Sequence, residues 1–406
     1  MKILQISPEY PPYNIGGGGL VVQEVARNLS KRGHNVEVIS GYYPTGSIFY
    51  KVLFDHDQGI KVSLLPLIPN PRTKIELRTR MPPNISSFLY VLKTILKSDF
   101  QAIHIHGYGH CFIDYCAFVC RIFSRPYVLT LHGFPYAPRV GGFLTRVLYR
   151  LHFLAVGRVI ISMASCVTAV SSEVLEEAMA LGVDREHLRI VPNGLDIREY
   201  YEIEGSSPVR EKYGISSSDW LIVAIGSLHE RKGFQYLIRS IPLIRNNDRI
   251  KVLLIGANGG YADELARIAN ILNLKDKVIF TGYLDQRSKL AVIAQADIFL
   301  IPSIAEPYGL VALEAMAMKK PIIATNTGGL REILQNGKTA LMIEPKSSES
   351  IAVAIMQLLE NDTLRENLSI NARAELANHG WDEIVDKYLA IYMGLKKVEN
   401  SAHACF

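Results

Sequence analysis

The chain has 406 residues, 49% of them hydrophobic and 20% charged, a length that suits two domains of about 200 residues better than one core. No uncharged apolar run reaches the ~18–20 residues of a membrane span, and MKILQISPEY lacks the apolar stretch of a secretory signal, so a cytoplasmic protein is expected. The net charge of +5 is unevenly spread: thirteen Lys or Arg face three acids between Gln58 and Ser172, an excess of ten, which leaves 5 − 10 = −5 for the rest.

Lys2–Ser7 reads as a buried strand, and Leu20–Arg32 as a helix that stops at Gly33. Asn35–Ser40, AIHIHG ending at Gly107, YVLTLHG ending at Gly133 and CVTAVS read as further strands, and the run Val159–Ser172 also reads as strand. The turn-rich stretch REYYEIEGSSPV interrupts the alternation, placing a domain boundary near Asn193–Ser207. WLIVAIGS, KVLLIGA, KVIFTGY, DIFLIPS and PIIATN then restart it, and a last helix runs from Trp381 to Leu395. Strands alternating with helices predict two α/β domains, each an open, doubly wound parallel sheet. The divisions drawn are 1–200 with a returning helix 381–397, and 201–380. Ligands of such sheets bind beyond the C-terminal strand ends, so the motifs there carry the functional reading.

Glu306-Pro-Tyr-Gly-Leu-Val-Ala-Leu-Glu314 follows DIFLIPS and opens a helix. Backbone amides near Gly309–Val311 make an anion site there, and carboxylates on either side of it suit the hydroxyls flanking a diphosphate. Arg231-Lys232 follows WLIVAIGS, giving a fork and a point charge for phosphate. In Pro11–Gly19 the glycines let backbone approach a ligand. A nicotinamide cofactor is excluded, because the glycines come late after the first strand and Val38-Ile-Ser-Gly offers no acid for a ribose. His132 ends a strand and is a candidate site residue. His104, His106 and His110 lie at one strand end without a carboxylate nearby, which disfavours a metal. The five cysteines, Cys111, Cys116, Cys120, Cys166 and Cys405, form no CxxC pair and read as core residues of a reduced compartment.

With these motifs the chain resembles the retaining glycosyltransferase family 4, nearly end to end. The likeness rests on the glycine loop with Glu24-Val-Ala and Arg32-Gly-His-Asn-Val, TLHG at 130–133, VPNGLD at 191–196, Arg231-Lys232-Gly233, EPYGLVALEAMA from Glu306, ATNTGGLRE at 324–332 and the Trp381 helix. Two departures stand out: Ala340 replaces a usual glycine, and MASCVTAVS lacks an acid before its strand. The resemblance implies the GT-B fold, two facing Rossmann-like domains with a cleft between them, and transfer from a UDP-, GDP- or ADP-sugar to a glycan or lipid-linked acceptor. It places Glu306 on the donor sugar, and Tyr308, Gly309, Leu310 and Val311 on sugar and phosphates. Glu314 would hold the ribose, Arg231 and Lys232 the leaving diphosphate, and Tyr283 would flank the base. Gly16 and Gly17 would close over the phosphates, and His132 would lie beside the sugar.

No DxD-like carboxylate pair is recognised at a predicted strand end, so neither metal nor other cofactor is expected. The rivals are a non-catalytic nucleotide-sugar-binding protein and a sugar-nucleotide epimerase. No nucleic-acid partner is expected. The basic excess, with ISSFLYVLKTILK at 85–97, FLTRVLYRL at 143–151 and Arg72, Lys74, Arg78 and Arg80, suits peripheral docking on an anionic membrane.

Overall fold

Buried β-branched and leucine runs make the strands of two sheets in the computed structural model, which describes residues 1–13, 16–42, 52–67, 85–97, 99–133, 147, 151, 153–203 and 209–403. The chain divides into two compact units, Met1–Asn193 with Trp381–Phe406, and Gly194–Gly380. Arg72, Lys74, Arg78, Arg80 and the segment 143–151, apart from Val147 and Leu151, lie outside the described residues, as does Cys405.

The first unit holds an eight-stranded sheet. Its strands are β1 (Lys2–Ser7), β2 (Asn35–Tyr42), β3 (Leu53–Asp57), β4 (Ile60–Pro66), β5 (Ala102–His106), β6 (Tyr127–Leu131), β7 (Cys166–Ala169) and β8 (Leu188–Ile190). Their order is β3-β4-β2-β1-β5-β6-β7-β8, so β1 is central, with β2 on one side and β5 on the other. β1 is buried on both faces, as a parallel strand covered by helices must be. Its register pairs Ile6 with Ile39 and with Ile105. Helix α1 (Gly17–Lys31) turns Val21, Val22, Val25, Ala26 and Leu29 inward at helical spacing. Gly33, at φ 81°, then reverses the chain into β2. Helices α2 (Ile85–Lys97) and α3 (Cys111–Ile122) pack side by side, with Phe88 stacked on Tyr115 at 4.3 Å.

The second unit holds six parallel strands, β9 (Trp220–Ile225), β10 (Ile250–Ile255), β11 (Val278–Gly282), β12 (Ile298–Ile301), β13 (Ile322–Thr325) and β14 (Leu341–Ile343), ordered β11-β10-β9-β12-β13-β14. One continuous core fills it, from Ile222 and Leu254 in the sheet to Phe234, Leu237, Ile355 and Leu358 on the helices.

Several elements depart from the sequence reading. β3, β4, β8 and β14 were not anticipated; β3 and β4 form a hairpin that adds an antiparallel edge to an otherwise parallel sheet. β3 is exposed over most of its length and β8 and β14 have three residues each, so none shows a long apolar run. Residues 159–172 are not one strand. A helix, α4 (Arg158–Met163), precedes β7, because Val159 and Ser162 are exposed while Ile160 and Ile161 are buried. α1 starts at Gly17 rather than Leu20, with Gly16 as its extended cap. The final helix, which starts at Trp381, continues to His403.

Candidate functional site

In the second unit β9 lies between β10 and β12, and the connections leave it in opposite directions. This is the switch point where open α/β sheets bind ligands. Two loops emerge there. The one after β9 carries Arg231 and Lys232; the one after β12 carries Pro302, Ser303 and Glu306 before α9 (Leu310–Ala317). α5 (Ser172–Ala180) precedes them in the first unit, and α6 (Phe234–Ser240), α7 (Ala262–Ile271) and α8 (Gln286–Gln295) come between them in the second. α10 (Ser348–Glu360), α11 (Asp362–Glu375) and α12 (Trp381–His403) follow.

The two loops are locked together. The Ile304 amide donates to the Arg231 carbonyl at 2.7 Å. Gly233, at φ 70°, lets the first loop pass so close to Pro302 that a Cβ would lie 1.8 Å from its carbonyl oxygen. Gly328 does the same for Glu306, where a Cβ would lie 1.9 Å from the carbonyl. The Gly329 amide then donates to that carbonyl at 3.0 Å. The Thr327-Gly328-Gly329 turn therefore buttresses the Glu306 loop.

The side chains form two buried ion pairs. Lys232 Nζ donates to Glu306 Oε2 at 2.5 Å, and Ser303 Oγ donates to the same oxygen at 3.0 Å. Burial pushes the Glu306 carboxyl up, but the Lys232 and Arg231 charges and these two hydrogen bonds outweigh it and hold it below its usual range. Burial pulls the Lys232 ammonium down, against the opposing pull of Glu306. The Arg231 side chain donates no hydrogen bond among the described residues, although its amide donates to His229 Nδ1 at 3.2 Å. Glu314, inside α9 and 7% exposed, accepts from Lys289 Nζ at 2.6 Å through Oε1. Its Oε2 has no hydrogen-bond partner among the described residues.

Gly309, at φ 110°, caps α9, and the Ala312 amide already bonds its carbonyl at 2.8 Å. The Leu310 and Val311 amides at the start of the helix point the positive end of its dipole outward. The Tyr308 ring is buried with its hydroxyl 3.2 Å from His379 Nδ1, so it offers a ligand its backbone. Tyr283 is 69% exposed after β11, two strands from β9.

The remaining candidates belong to the first unit. Gly16 and Gly17 start α1, where the Gly16 amide donates to Glu9 Oε2 at 3.2 Å. His132 follows β6, with Nε2 3.1 Å from His106 Nδ1. Burial pulls His132 down to about 4 and lowers His104 and His106 well below the ordinary histidine range. His104 and His106 are thus neutral parts of a polar core, not surface ligands. An Asp-x-Asp pair does end a strand, Asp55 and Asp57 on β3, a strand the sequence reading missed. Arg27, Tyr10 and Gln23 all bond the Asp57 carboxylate.

Sequence reasoning also missed Lys289, Ser303 and the partners of His132. Lys289 is one lysine in an ordinary amphipathic helix, and only the fold brings it to Glu314.

Comparison with known proteins agrees with this layout. The model for "Glycosyltransferase Family 4" matches residues 15–199, and that for "Glycosyl transferases group 1" matches residues 206–375. An uncharacterized glycosyltransferase of Methanocaldococcus jannaschii is 27% identical over 401 residues, covering 97% of this chain and 98% of that one. N-acetyl-alpha-D-glucosaminyl L-malate synthase of Bacillus anthracis is 27% identical over 386 residues, 94% of each chain. The crystal structure of Anabaena HepE in complex with UDP and glucose superposes with a TM-score of 0.74 at 21% identity, covering 97% of this chain and 100% of that one. The fold is GT-B, and the chain belongs to glycosyltransferase family 4.

Proposed function

We propose that this glycosyltransferase moves a sugar from a UDP-, GDP- or ADP-sugar to an acceptor hydroxyl with retention of anomeric configuration. The observation that carries the reading is the set of groups at the β9–β12 switch point. Lys232 is buried against Glu306, and among the described residues the Arg231 side chain makes no hydrogen bond and one oxygen of Glu314 has no partner. A diphosphate at the start of α9 would draw Arg231 and Lys232 and the Leu310 and Val311 amides. That leaves Glu306 for sugar hydroxyls on one side and Glu314 Oε2 for ribose hydroxyls on the other. Gly16, Gly17 and His132 take the roles the family assigns them, with His132 beside the sugar, and Tyr283 flanks the base.

No carboxylate stands as an evident nucleophile, which favours a front-face route. The bond from the anomeric carbon to the phosphate oxygen breaks as the bond to the acceptor oxygen forms. The acceptor's proton passes to the departing phosphate oxygen. Lys232 and Arg231 stabilise the charge that grows on the leaving diphosphate.

Incubation with UDP-, GDP- and ADP-sugars and a panel of glycan and lipid-linked acceptors tests the reading. Acceptor-dependent release of nucleoside diphosphate, with a product of the donor's anomeric configuration, is expected. An altered nucleotide sugar without release identifies an epimerase, and a rise in melting temperature without turnover identifies a binding protein.

The same proposal places the enzyme at an anionic membrane surface, acting on a lipid-linked or membrane-proximal acceptor. No described helix is long and apolar enough to cross a membrane. α2 and α3 leave Ile85, Leu89, Phe118 and Ile122 more than half exposed, with Lys93 and Arg121 exposed beside them on the same helices. Val91 and Ile95 pack inward, so α2 has one face in the core and apolar side chains left over. Each basic residue near such a surface is worth about 1 kcal/mol. Co-sedimentation with anionic vesicles that weakens with salt is expected; equal recovery from anionic and neutral vesicles overturns the membrane assignment.

A further inference from the structure

Two donors of different kinds meet at one oxygen of Glu306. Lys232 Nζ reaches Oε2 at 2.5 Å from the loop after β9, and Ser303 Oγ reaches it at 3.0 Å from the loop after β12. The lysine is charged and ends a flexible four-carbon stem, so it can turn toward another anion. The serine hydroxyl stands one bond from a backbone that is fixed. The Ser303 carbonyl accepts from Thr325 Oγ1 at 2.6 Å, and a Cβ on Gly233 would lie 1.8 Å from the carbonyl oxygen of the adjacent Pro302. Ser303 is 1% exposed. The Glu306 backbone is fixed as well, since its carbonyl accepts from the Gly329 amide.

A buried carboxylate stays ionised only while its partners hold it. The Lys232 and Arg231 charges and the hydrogen bonds from Lys232 and Ser303 hold the Glu306 carboxyl low against its burial. Three of these four effects come from cations, which a diphosphate at the start of α9 would also attract. An anion that draws Lys232 and Arg231 shares their charge and adds its own repulsion. Both changes favour a protonated Glu306. The Ser303 hydroxyl carries no charge to be drawn off, and the loop keeps it in place. Among the described residues it is the donor that an arriving anion leaves on Glu306.

We propose that Ser303 is a positioning residue for Glu306: its hydroxyl keeps the carboxylate ionised and in place while a diphosphate draws Lys232 and Arg231. This role rests on the donor site proposed above, and all of its groups lie in the second unit. An ionised carboxylate only accepts hydrogen bonds, whereas a protonated one turns an acceptor into a donor. The Ser303 hydrogen bond therefore matters more with the anion bound than without it. A serine that only helped the loop to fold would contribute equally in both states. In Ser303→Ala the free protein still has Lys232 on Glu306, and the carboxylate stays charged. When a diphosphate then shares Lys232, Glu306 takes up a proton from solvent and becomes neutral.

The experiment is titration calorimetry of the full-length protein with UDP, GDP, ADP and inorganic pyrophosphate at about pH 6, above the ordinary carboxylate range. Each titration is run in two buffers of different ionisation enthalpy, which counts the protons taken up on binding. Protons that the ligand phosphates bind are common to all variants, so a difference between variants belongs to the protein. Ser303→Ala is expected to take up an additional fraction of a proton per anion. It is expected to bind the anion about fivefold more weakly, a part of the worth of one hydrogen bond to a charged group. Ser303→Thr keeps the hydroxyl and restores the wild-type count. Equal counts in the wild type and Ser303→Ala overturn the proposal, and a weaker affinity with an unchanged count does so too, by assigning Ser303 to loop structure alone. Ser303→Thr behaving like Ser303→Ala also overturns it. If that happens in an active transferase, only the Ser303 link is lost. A wild type that binds none of the four probes overturns the link together with the donor site. Counts that respond as stated in a protein without transferase activity leave the link standing and remove the proposed function instead.

Discussion

Within its central strands the first unit buries Gln5, His104 and His106, all uncharged, whereas the second buries Lys232 against Glu306 on loops that follow β9 and β12, and Lys289 against Glu314 between two helices. A neutral chain is milder to desolvate than a charged one. Buried charges are expensive to desolvate and hold together only while paired, but a lysine can exchange a carboxylate for a phosphate. The buried charges of the second unit can therefore exchange partners with an anion, whereas the first unit offers neutral donors and acceptors.

The sharpest way to break this contrast is at Lys232. Lys232→Met is expected to lower turnover by about 10²–10³-fold, as removal of a charge-stabilising donor does. It also leaves Glu306 buried and unpaired, which costs about 3–5 kcal/mol of stability. Adding Glu306→Gln is expected to restore much of the stability and none of the turnover. Turnover and melting temperature measured on both variants check this, and an active double variant contradicts the role of the pair.

Next in size is the response to acid. His104, His106 and His132 have folded-state values below their ordinary 6.5. The unfolded chain thus binds more protons than the folded one once the pH drops below 6.5. Their stabilisation is complete above that value and is lost as the pH falls toward about 4 for His132. The slope approaches about 1.4 kcal/mol per pH unit for each histidine. Circular dichroism melts from pH 7 to pH 5 are expected to show steep destabilisation, reduced in a His106→Gln variant. A stability independent of pH over that window removes the neutral core. The ionic unit behaves otherwise, since Glu306 is held low and stays charged there.

A smaller effect is expected at the second ion pair. Lys289 holds Oε1 of Glu314 and leaves Oε2 open. Glu314→Ala is expected to raise the donor KM about tenfold, the loss of roughly 1.4 kcal/mol of binding, with kcat retained. Lys289→Met is expected to do the same through a misplaced carboxylate. Glu306→Ala chiefly lowers kcat, because its contacts are made where the bond breaks. Steady-state kinetics in which Glu314→Ala and Glu306→Ala show the same split collapse the distinction between the two carboxylates.

The sequence made some of this legible and hid the rest for physical reasons. The strands buried on both faces, β1, β2, β5, β6, β9 and β12, announce themselves as continuous apolar runs. β3 does not, because it is exposed along an antiparallel edge, and β8 and β14 are too short to carry a pattern. Glu306, Glu314, Arg231 and Lys232 were visible because each sits in a local motif. Lys289 and Tyr392 were not, since a residue whose partner lies 25 or 288 positions away leaves no local trace. For His104 and His106 the lack of a nearby carboxylate already disfavoured a metal, and their burial shows that they are core.

The smallest expected effect is that of a chelator. The carboxylate pair that would suggest a metal, Asp55 and Asp57, has Asp57 held by Arg27, Tyr10 and Gln23. Arg27 holds the Asp57 carboxyl below its usual range despite burial, so the residue is a charged partner already satisfied. In the donor site proposed for the second unit, Arg231 and Lys232 would meet the diphosphate charge, with the start of α9 behind them. On that proposal two fixed cations and a helix dipole would supply what a divalent ion supplies elsewhere, without the ordering of a third component. Transfer is therefore expected to proceed unchanged in EDTA, and Asp55→Asn to leave kcat and KM as they are. Activity that disappears in EDTA and returns with magnesium or manganese assigns charge neutralisation to a metal. That result would return Lys232 to a structural partner of Glu306 and erase the functional half of the contrast between the two units.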